Sequence, residues 1–209
     1  MTDVPNVMDV RLADVLAHPA VAALSESLAA RPGVDDVPRP GEPTPRRAAV
    51  ALVLRVHRAQ LELLFVKRAE YAGDPWSGQV ALPGGRHEPA DATLWHTAVR
   101  ETFEETGLDL AAVGRSLGRL DELHPRSVVL PAIVVRPYVA VAPADVELAL
   151  SPELSLAFWV PLEQLRRDRH VTSIVRPRGV ELRVPSIVHD GHVIWGMTFR
   201  ILEDFLARL

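Results

Sequence analysis

The stretch from Gly84 to Leu108, which reads GGRHEPADATLWHTAVRETFEETGL, constrains the fold of this 209-residue chain more than any other segment. Gly84 and Gly85 follow the apolar residues 80–83 and precede a polar loop, so they allow a backbone reversal that would strain other residues. Gly107 suits a residue that ends a helix in the left-handed conformation. The pattern predicts a compact unit made of a strand, a glycine loop, a helix and a glycine stop.

Three glutamates of the predicted helix share one face. At 3.6 residues per turn, Glu101, Glu104 and Glu105 fall within one narrow sector. Like charges at these spacings repel, and Arg100 offsets only part of that repulsion. Magnesium offsets more, because it prefers carboxylate and water oxygens and bridges readily to phosphates. The face therefore indicates either a divalent-metal site or a solvated acidic surface.

The opposite side of the same helix carries a mostly apolar stripe of Trp95, Val99, Thr102 and Phe103. Such a stripe predicts packing against a sheet. Leu94 breaks the pattern, because it falls near the acidic face.

These residues resemble the box of the Nudix hydrolases. That box is a glycine, five residues, an acid, seven residues, Arg-Glu, an apolar residue, any residue, Glu-Glu, any residue, a glycine and an apolar residue. Residues 100–108 match its second half, except that Thr102 stands at the apolar position. Counted from Gly85, Asp91 stands at the first acid, and the stretch from Asp91 to Arg100 is one residue longer than in the box. The departure concerns the loop and leaves the glutamates intact.

The resemblance implies a metal-dependent hydrolase that cleaves the pyrophosphate bond of a nucleoside diphosphate linked to another moiety. Its metal ligands would be Glu101, Glu104 and Glu105, with Mg²⁺ as the cofactor and Mn²⁺ as the alternative. Such a metal neutralises the diphosphate, orients one phosphorus and lowers the pKa of a bound water. Glu101 and Glu104 would be catalytic, Arg100 would align the glutamates, and the general base would be Glu101 or, in competition with it, Glu153.

Similarity to the coenzyme A pyrophosphatase subgroup extends beyond the box. Residues 63–68 and 78–85 are similar to an extended motif of that subgroup, which implies that Arg68, Gly84 and Gly85 bind substrate. Its second arginine has no counterpart in residues 71–76, which weakens the assignment, since an arginine fork suits phosphate.

Residues 89–91 and 193–198 are also similar to the subgroup, although Trp195 itself is expected in the core rather than as a base-stacking platform. Coenzyme A or a derivative is thus the expected substrate. ADP-ribose, nucleotide sugars and dinucleotides are the alternatives within the enzyme class, and a non-catalytic nucleotide-sensing domain is the alternative outside it.

Hydrophobic periodicity predicts strands at 48–57, 61–67, 128–141 and 158–160, with helices at 91–106 and 197–209. This mixture fits an α/β fold, and the resemblance implies a Nudix-type α/β/α sandwich with a mixed central sheet. Residues 1–46 are expected to form a helical segment interrupted at Pro19 and a proline-rich arm. Residues 47–209 are expected to form the hydrolase domain, within one globular unit overall.

Composition and charge argue against nucleic acid and membranes as partners of this chain. The formal net charge of −4 argues against a nucleic-acid surface, and the helical pattern at 10–30 is too polar to span a membrane. The chain has no cysteine, which excludes disulfides and permits a cytoplasmic location. The expected partner is a small nucleoside diphosphate substrate. A homodimer stays open, because relatives of this fold often dimerise.

Overall fold

The computed structural model describes residues 7–35, 45–71, 76–125, 132–167 and 171–209. Part of the predicted arm and the start of the strand predicted at 128–141 lie outside these ranges. The helices are α1 (Val7–Ala17), α2 (Pro19–Ala30), α3 (Leu94–Thr106), α4 (Leu110–Val113), α5 (Leu162–Arg167) and α6 (Gly196–Leu206). The strands are β1 (Arg46–His57), β2 (Gln60–Arg68), β3 (Val80–Ala81), β4 (Gly84–Arg86), β5 (Arg115–Arg119), β6 (Ile133–Val141), β7 (Leu154–Pro161), β8 (Val171–Val175), β9 (Leu182–His189) and β10 (His192–Trp195).

The larger sheet has seven strands and is mixed, as predicted. Its main path runs β3-β2-β1-β6-β5, with β4 on β1 and β7 on β2. Strands β1 and β6 are parallel, in a register that places Ala51 opposite Tyr138. The remaining described pairs of this sheet are antiparallel.

Alternation along β1 divides the core between the two faces of this sheet. Ala49, Ala51 and Val53 belong to the apolar cluster on the α3 side, together with Ala98 of that helix. Leu52 belongs to the cluster on the other side, to which α1, α2 and α6 contribute. Because successive side chains of a strand point to opposite faces, both faces are covered and the fold is an α/β/α sandwich.

The N-terminal helices pack into the same core. Val21, Leu24 and Leu28 of α2 are fully buried. The chain then runs beside the sheet, where the Val34 N–H donates to Asp121 at 2.9 Å. The helical segment is therefore part of the folded unit, while the domain boundary between residues 46 and 47 stays a prediction.

A second, three-stranded antiparallel sheet has the order β10-β9-β8. Its β9–β10 hairpin turns at Asp190 and Gly191, whose φ angles are 46° and 78°. An Asp-Gly pair favours such a turn, because both positions take a positive φ. Strands β8 and β9 were not predicted, because their partly exposed residues lack a continuous apolar pattern. No helix in the described part of the chain is both long and apolar enough to cross a membrane.

Candidate active site

The glycine loop lies unusually close to β1. Gly84 has a φ of 148°, and a Cβ atom at this position would lie 2.3 Å from the carbonyl oxygen of Ala49. Only glycine fits such an approach without a shift of the backbone. The Gly84 N–H is thereby presented to α3, where it donates to Oε2 of Glu105 at 3.0 Å.

Two of the predicted metal ligands lie against this loop. A Cβ atom at Gly85 would lie 2.4 Å from Cδ of Glu101, and the Glu105 side chain is only 7% exposed. Burial, with a smaller contribution from the charge of Glu101, raises the pKa of Glu105 to about 7 against the opposing effect of the Gly84 N–H. Burial also raises the pKa of Glu101. A buried carboxylate whose ionisation is opposed by a half-buried carboxylate beside it favours a nearby cation.

The third glutamate lies at the edge of this pair. Glu104 is 55% exposed, and its Oε2 accepts a hydrogen bond from Nη1 of Arg100 at 3.0 Å. Within the described ranges, no three His, Asp or Glu side chains already converge as a metal site. The oxygen donors of Glu101 and Glu105 nevertheless suit a hard divalent cation, and Glu104 would join them by exchanging Arg100 for the metal.

Arg100 is held in place by Asp91. Its Nε and Nη2 atoms donate to the two Asp91 oxygens at 2.9 and 3.0 Å, and Nη2 also donates to the Arg86 carbonyl at 3.0 Å. Another bond from Nη1 reaches Oε1 of Glu101 at 3.1 Å. The arginine thus links Glu101 and Glu104 to the Asp91 loop.

Asp91 is more important to this site than sequence reasoning suggested. Its side chain is 5% exposed and accepts further bonds from the Thr97 hydroxyl at 2.9 Å and the Glu88 N–H at 3.0 Å. The Arg100 guanidinium holds the pKa of Asp91 well below its usual range. In the sequence, Asp91 was recognisable only by its position at the first acid of the box. That position did not predict its pairing with Arg100.

Arg68 and Glu153 lie beside the buried carboxylates. The charge of Arg68 lowers the pKa of Glu105, whereas that of Glu153 raises it. The Glu153 carbonyl accepts from the Ala69 N–H at 2.8 Å, which fixes its segment to the end of β2. The structure therefore brings together residues that are distant in sequence, and Glu101 and Glu153 both remain candidates for the general base.

The chain is similar to known proteins over most of its length. A model of the NUDIX domain matches residues 44–176. The Nudix hydrolase NudL of Yersinia pestis (strain Pestoides F) is 34% identical over 168 residues, which cover 79% of this chain and 81% of NudL. The chain belongs to the Nudix hydrolases. It is thus a member of a pyrophosphohydrolase family whose enzymes generally use divalent metal ions.

One further relative agrees with the family, and one solved structure is similar in fold. NudL of Yersinia pseudotuberculosis serotype O:1b (strain IP 31758) is also 34% identical, with the same coverage of both chains. A MutT/nudix family protein from Enterococcus faecalis has a TM-score of 0.55 and 15% identity, covering 99% of this chain and 75% of that protein. The second comparison concerns the fold alone.

The Nudix helix α3 packs differently from its predicted stripe. Phe103 is 53% exposed, so its predicted burial was wrong, whereas Leu94 is buried despite falling near the acidic face. The reason is that β4 covers part of the acidic side, and α3 therefore turns Leu94, Ala98 and Thr102 inward. The helix begins at Leu94, later than predicted, because the Thr93 hydroxyl caps it by accepting from the His96 N–H at 3.3 Å.

Thr102, at the apolar position of the Nudix box, is fully buried without an unpaired hydroxyl. Its Oγ1 donates to the Ala98 carbonyl, one helical turn earlier, at 2.6 Å. A threonine that bonds within its own helix fills nearly the same space as valine.

Thr102→Val is expected to change the free energy of unfolding by less than about 1 kcal/mol, because the Ala98 carbonyl keeps its backbone hydrogen bond. Thr102→Ala is expected to lower it by about 1.5 kcal/mol, because a cavity is left. Urea titration followed by circular dichroism measures both variants. A larger loss for valine than for alanine would contradict a purely space-filling role.

Asp91→Asn is expected to lower the free energy of unfolding by about 3 kcal/mol, because Arg100 loses a buried, paired partner. Since the folded pKa of Asp91 lies below its unfolded value, the wild-type advantage is present above about pH 4 and fades as the pH falls further. Urea unfolding at neutral and acidic pH measures this.

Asp190→Asn is the matched control, because Asp190 is exposed in a hairpin turn. An equal loss of stability in the two asparagine variants would contradict the role given to Asp91.

Proposed function

We propose that this Nudix hydrolase cleaves the pyrophosphate bond of coenzyme A or one of its derivatives, using Mg²⁺ or Mn²⁺. The observation that carries the proposal is the pair of carboxylates on the Gly84–Gly85 backbone, the half-buried Glu101 and the buried Glu105. Their mutual repulsion is relieved by a divalent cation, and such a cation also binds diphosphate.

Each residue of the site has a role in this reaction. Glu101, Glu104 and Glu105 would hold the metal, which when bound neutralises the diphosphate and activates a water. Arg100 acts through the glutamates by aligning them. Glu101 or Glu153 takes the proton of the attacking water as general base.

Substrate binding is assigned to Arg68, Gly84 and Gly85 rather than to the metal-binding glutamates. Arg68 would bind a phosphate oxygen, because its charge already acts on Glu105. The Gly84 and Gly85 backbone would lie against the diphosphate, where side chains would obstruct its approach.

Support for coenzyme A comes from the segments outside the box. Residues 63–68, 78–85, 89–91 and 193–198 are similar to those of the coenzyme A pyrophosphatase subgroup. The region that would hold the second arginine includes residues 72–75, which lie outside the described ranges. The proposal includes a cytoplasmic location, which a chain without cysteine permits.

The test is product release from coenzyme A, acetyl-coenzyme A, ADP-ribose, NADH and UDP-glucose, each with magnesium, with manganese and with a chelator. Metal-dependent conversion of coenzyme A to 4′-phosphopantetheine and 3′,5′-ADP is expected. Preferred turnover of ADP-ribose or UDP-glucose would overturn the coenzyme A assignment within the same chemistry. No turnover of any compound would favour a nucleotide-sensing domain.

A further inference from the structure

A cavity of about 420 Å³ lies outside the carboxylate site, between the end of β2 with the following turn and the second sheet. Its lining includes Lys67, Gln79, Arg176, His192 and Trp195. Several of its lining residues lie in the segments 63–68, 78–85 and 193–198, outside the Nudix box. The cavity is built by segments that are far apart in sequence, so its existence depends on the tertiary fold.

The cavity lining is positively charged in a chain whose formal net charge is −4. None of the described residues that line it is acidic, whereas Lys67 and Arg176 are both cationic. Arg176 bonds to Glu181 at 2.8 Å, but both side chains are exposed, so the pair is weak and can exchange for another anion. The charge pattern therefore favours an anionic ligand.

Lys67 is available to such a ligand. In the parts of the chain that the structure describes, no side chain forms an ion pair with its ammonium group. An ammonium group that lines a cavity is a compact, mobile donor for phosphate. It is also the only lysine in the chain.

Flat aromatic surface lies beside these cations. Trp195 lines the cavity, which contradicts the expectation that it is simply a core residue. The His192 ring stacks on Phe158, with centroids 5.0 Å apart, and this contact fixes its orientation. Nucleobases stack on aromatic rings of this kind with little dependence on base identity.

The cavity and the carboxylate site draw on neighbouring residues at the end of β2. Lys67 and Arg68 follow each other where the pairing of β2 with β7 shifts register. Arg68 acts on Glu105, while Lys67 lines the cavity. One strand end thus contributes a cation to each place.

We infer that this cavity binds a phosphorylated nucleoside, with its phosphate on Lys67 and Arg176 and its base against Trp195. Two sources have this chemistry, namely the nucleotide end of the diphosphate substrate and a free nucleotide. Binding does not depend on the proposed reaction, because the cavity contains none of the catalytic glutamates.

Isothermal titration calorimetry with adenosine 3′,5′-bisphosphate, on full-length protein in chelator, tests the inference. Lys67→Met and Arg176→Gln are each expected to weaken binding by about tenfold, because each removes one charge-assisted contact. Trp195→Leu is expected to weaken the bisphosphate while leaving inorganic phosphate unchanged. Circular dichroism melting verifies that each variant is folded.

Arg183→Gln is the matched control, because Arg183 lies on β9 of the same small sheet but does not line the cavity. Wild-type affinity in both Lys67→Met and Arg176→Gln would overturn the inference. An equal loss in Arg183→Gln would also overturn it, since the effect would then be one of overall charge.

Inhibition kinetics separates the two sources. Using the diphosphate that the enzyme turns over best, competitive inhibition by adenosine 3′,5′-bisphosphate that is lost in Lys67→Met assigns the cavity to the substrate. If adenosine 3′,5′-bisphosphate instead changes kcat and leaves KM unchanged, the cavity is assigned to a free nucleotide. Absence of turnover on every diphosphate, with Lys67-dependent binding intact, would overturn the proposed reaction and leave the binding site standing.

Discussion

Glu105→Gln is expected to lower kcat by about a thousandfold while the protein stays folded, because the metal loses a charged ligand. The amide retains an oxygen that accepts the Gly84 N–H, and it removes a carboxylate whose ionisation is disfavoured by burial. The melting temperature should therefore not fall. Steady-state kinetics with saturating Mg²⁺, together with thermal melting, measures the two effects separately.

Two further glutamine variants complete this experiment. Glu104→Gln is also expected to lower kcat, although the Glu104 side chain is exposed and bound to Arg100 before metal binding. Glu163→Gln on α5 is the matched control and should retain wild-type turnover. Wild-type kcat in Glu105→Gln would contradict the metal site and the proposed hydrolysis with it.

Gly85→Ala is expected to lower kcat/KM by about a hundredfold with little loss of stability, because its methyl group would displace the Glu101 carboxylate. Gly84→Ala is expected to act mainly on stability instead, lowering the free energy of unfolding by about 3 kcal/mol. At this position the methyl group meets the backbone of β1, and the φ of 148° is strained for alanine.

The two alanine variants control each other, because they make the same chemical change at neighbouring positions. Kinetics and urea unfolding on both variants are the measurement. If Gly85→Ala lost stability and kept its kcat/KM, the close approach of Gly85 to Glu101 would not contribute to catalysis.

The sequence predicted the elements that carry strong periodicity. The strands at 48–57 and 61–67 and the helix ending at Gly107 correspond to β1, β2 and α3. Short β4 escaped prediction, because three residues carry no period and its strand pairing depends on β1. Membership of the Nudix family, read from residues 100–108, is confirmed.

The site was predictable only as a set of residue types. Helical spacing placed Glu101, Glu104 and Glu105 on one sector, but it gave no information on which carboxylate the loop would bury. That depends on β4, which covers one side of α3 and exposes Phe103 on another. The cavity around Lys67 was not predictable at all, since its walls meet only where the second sheet packs against β3 of the first.

A layer of alanines determines where the proposed catalytic carboxylates stand. Ala49, Ala51, Ala98 and Ala140 are completely buried between α3 and the sheet. Their small side chains fix the distance between helix and sheet, so any larger residue there would lift the whole helix away from the glycine loop. Residues with no chemistry of their own therefore act as a spacer for the reaction. Replacing these alanines with larger residues would lower catalytic activity as well as stability.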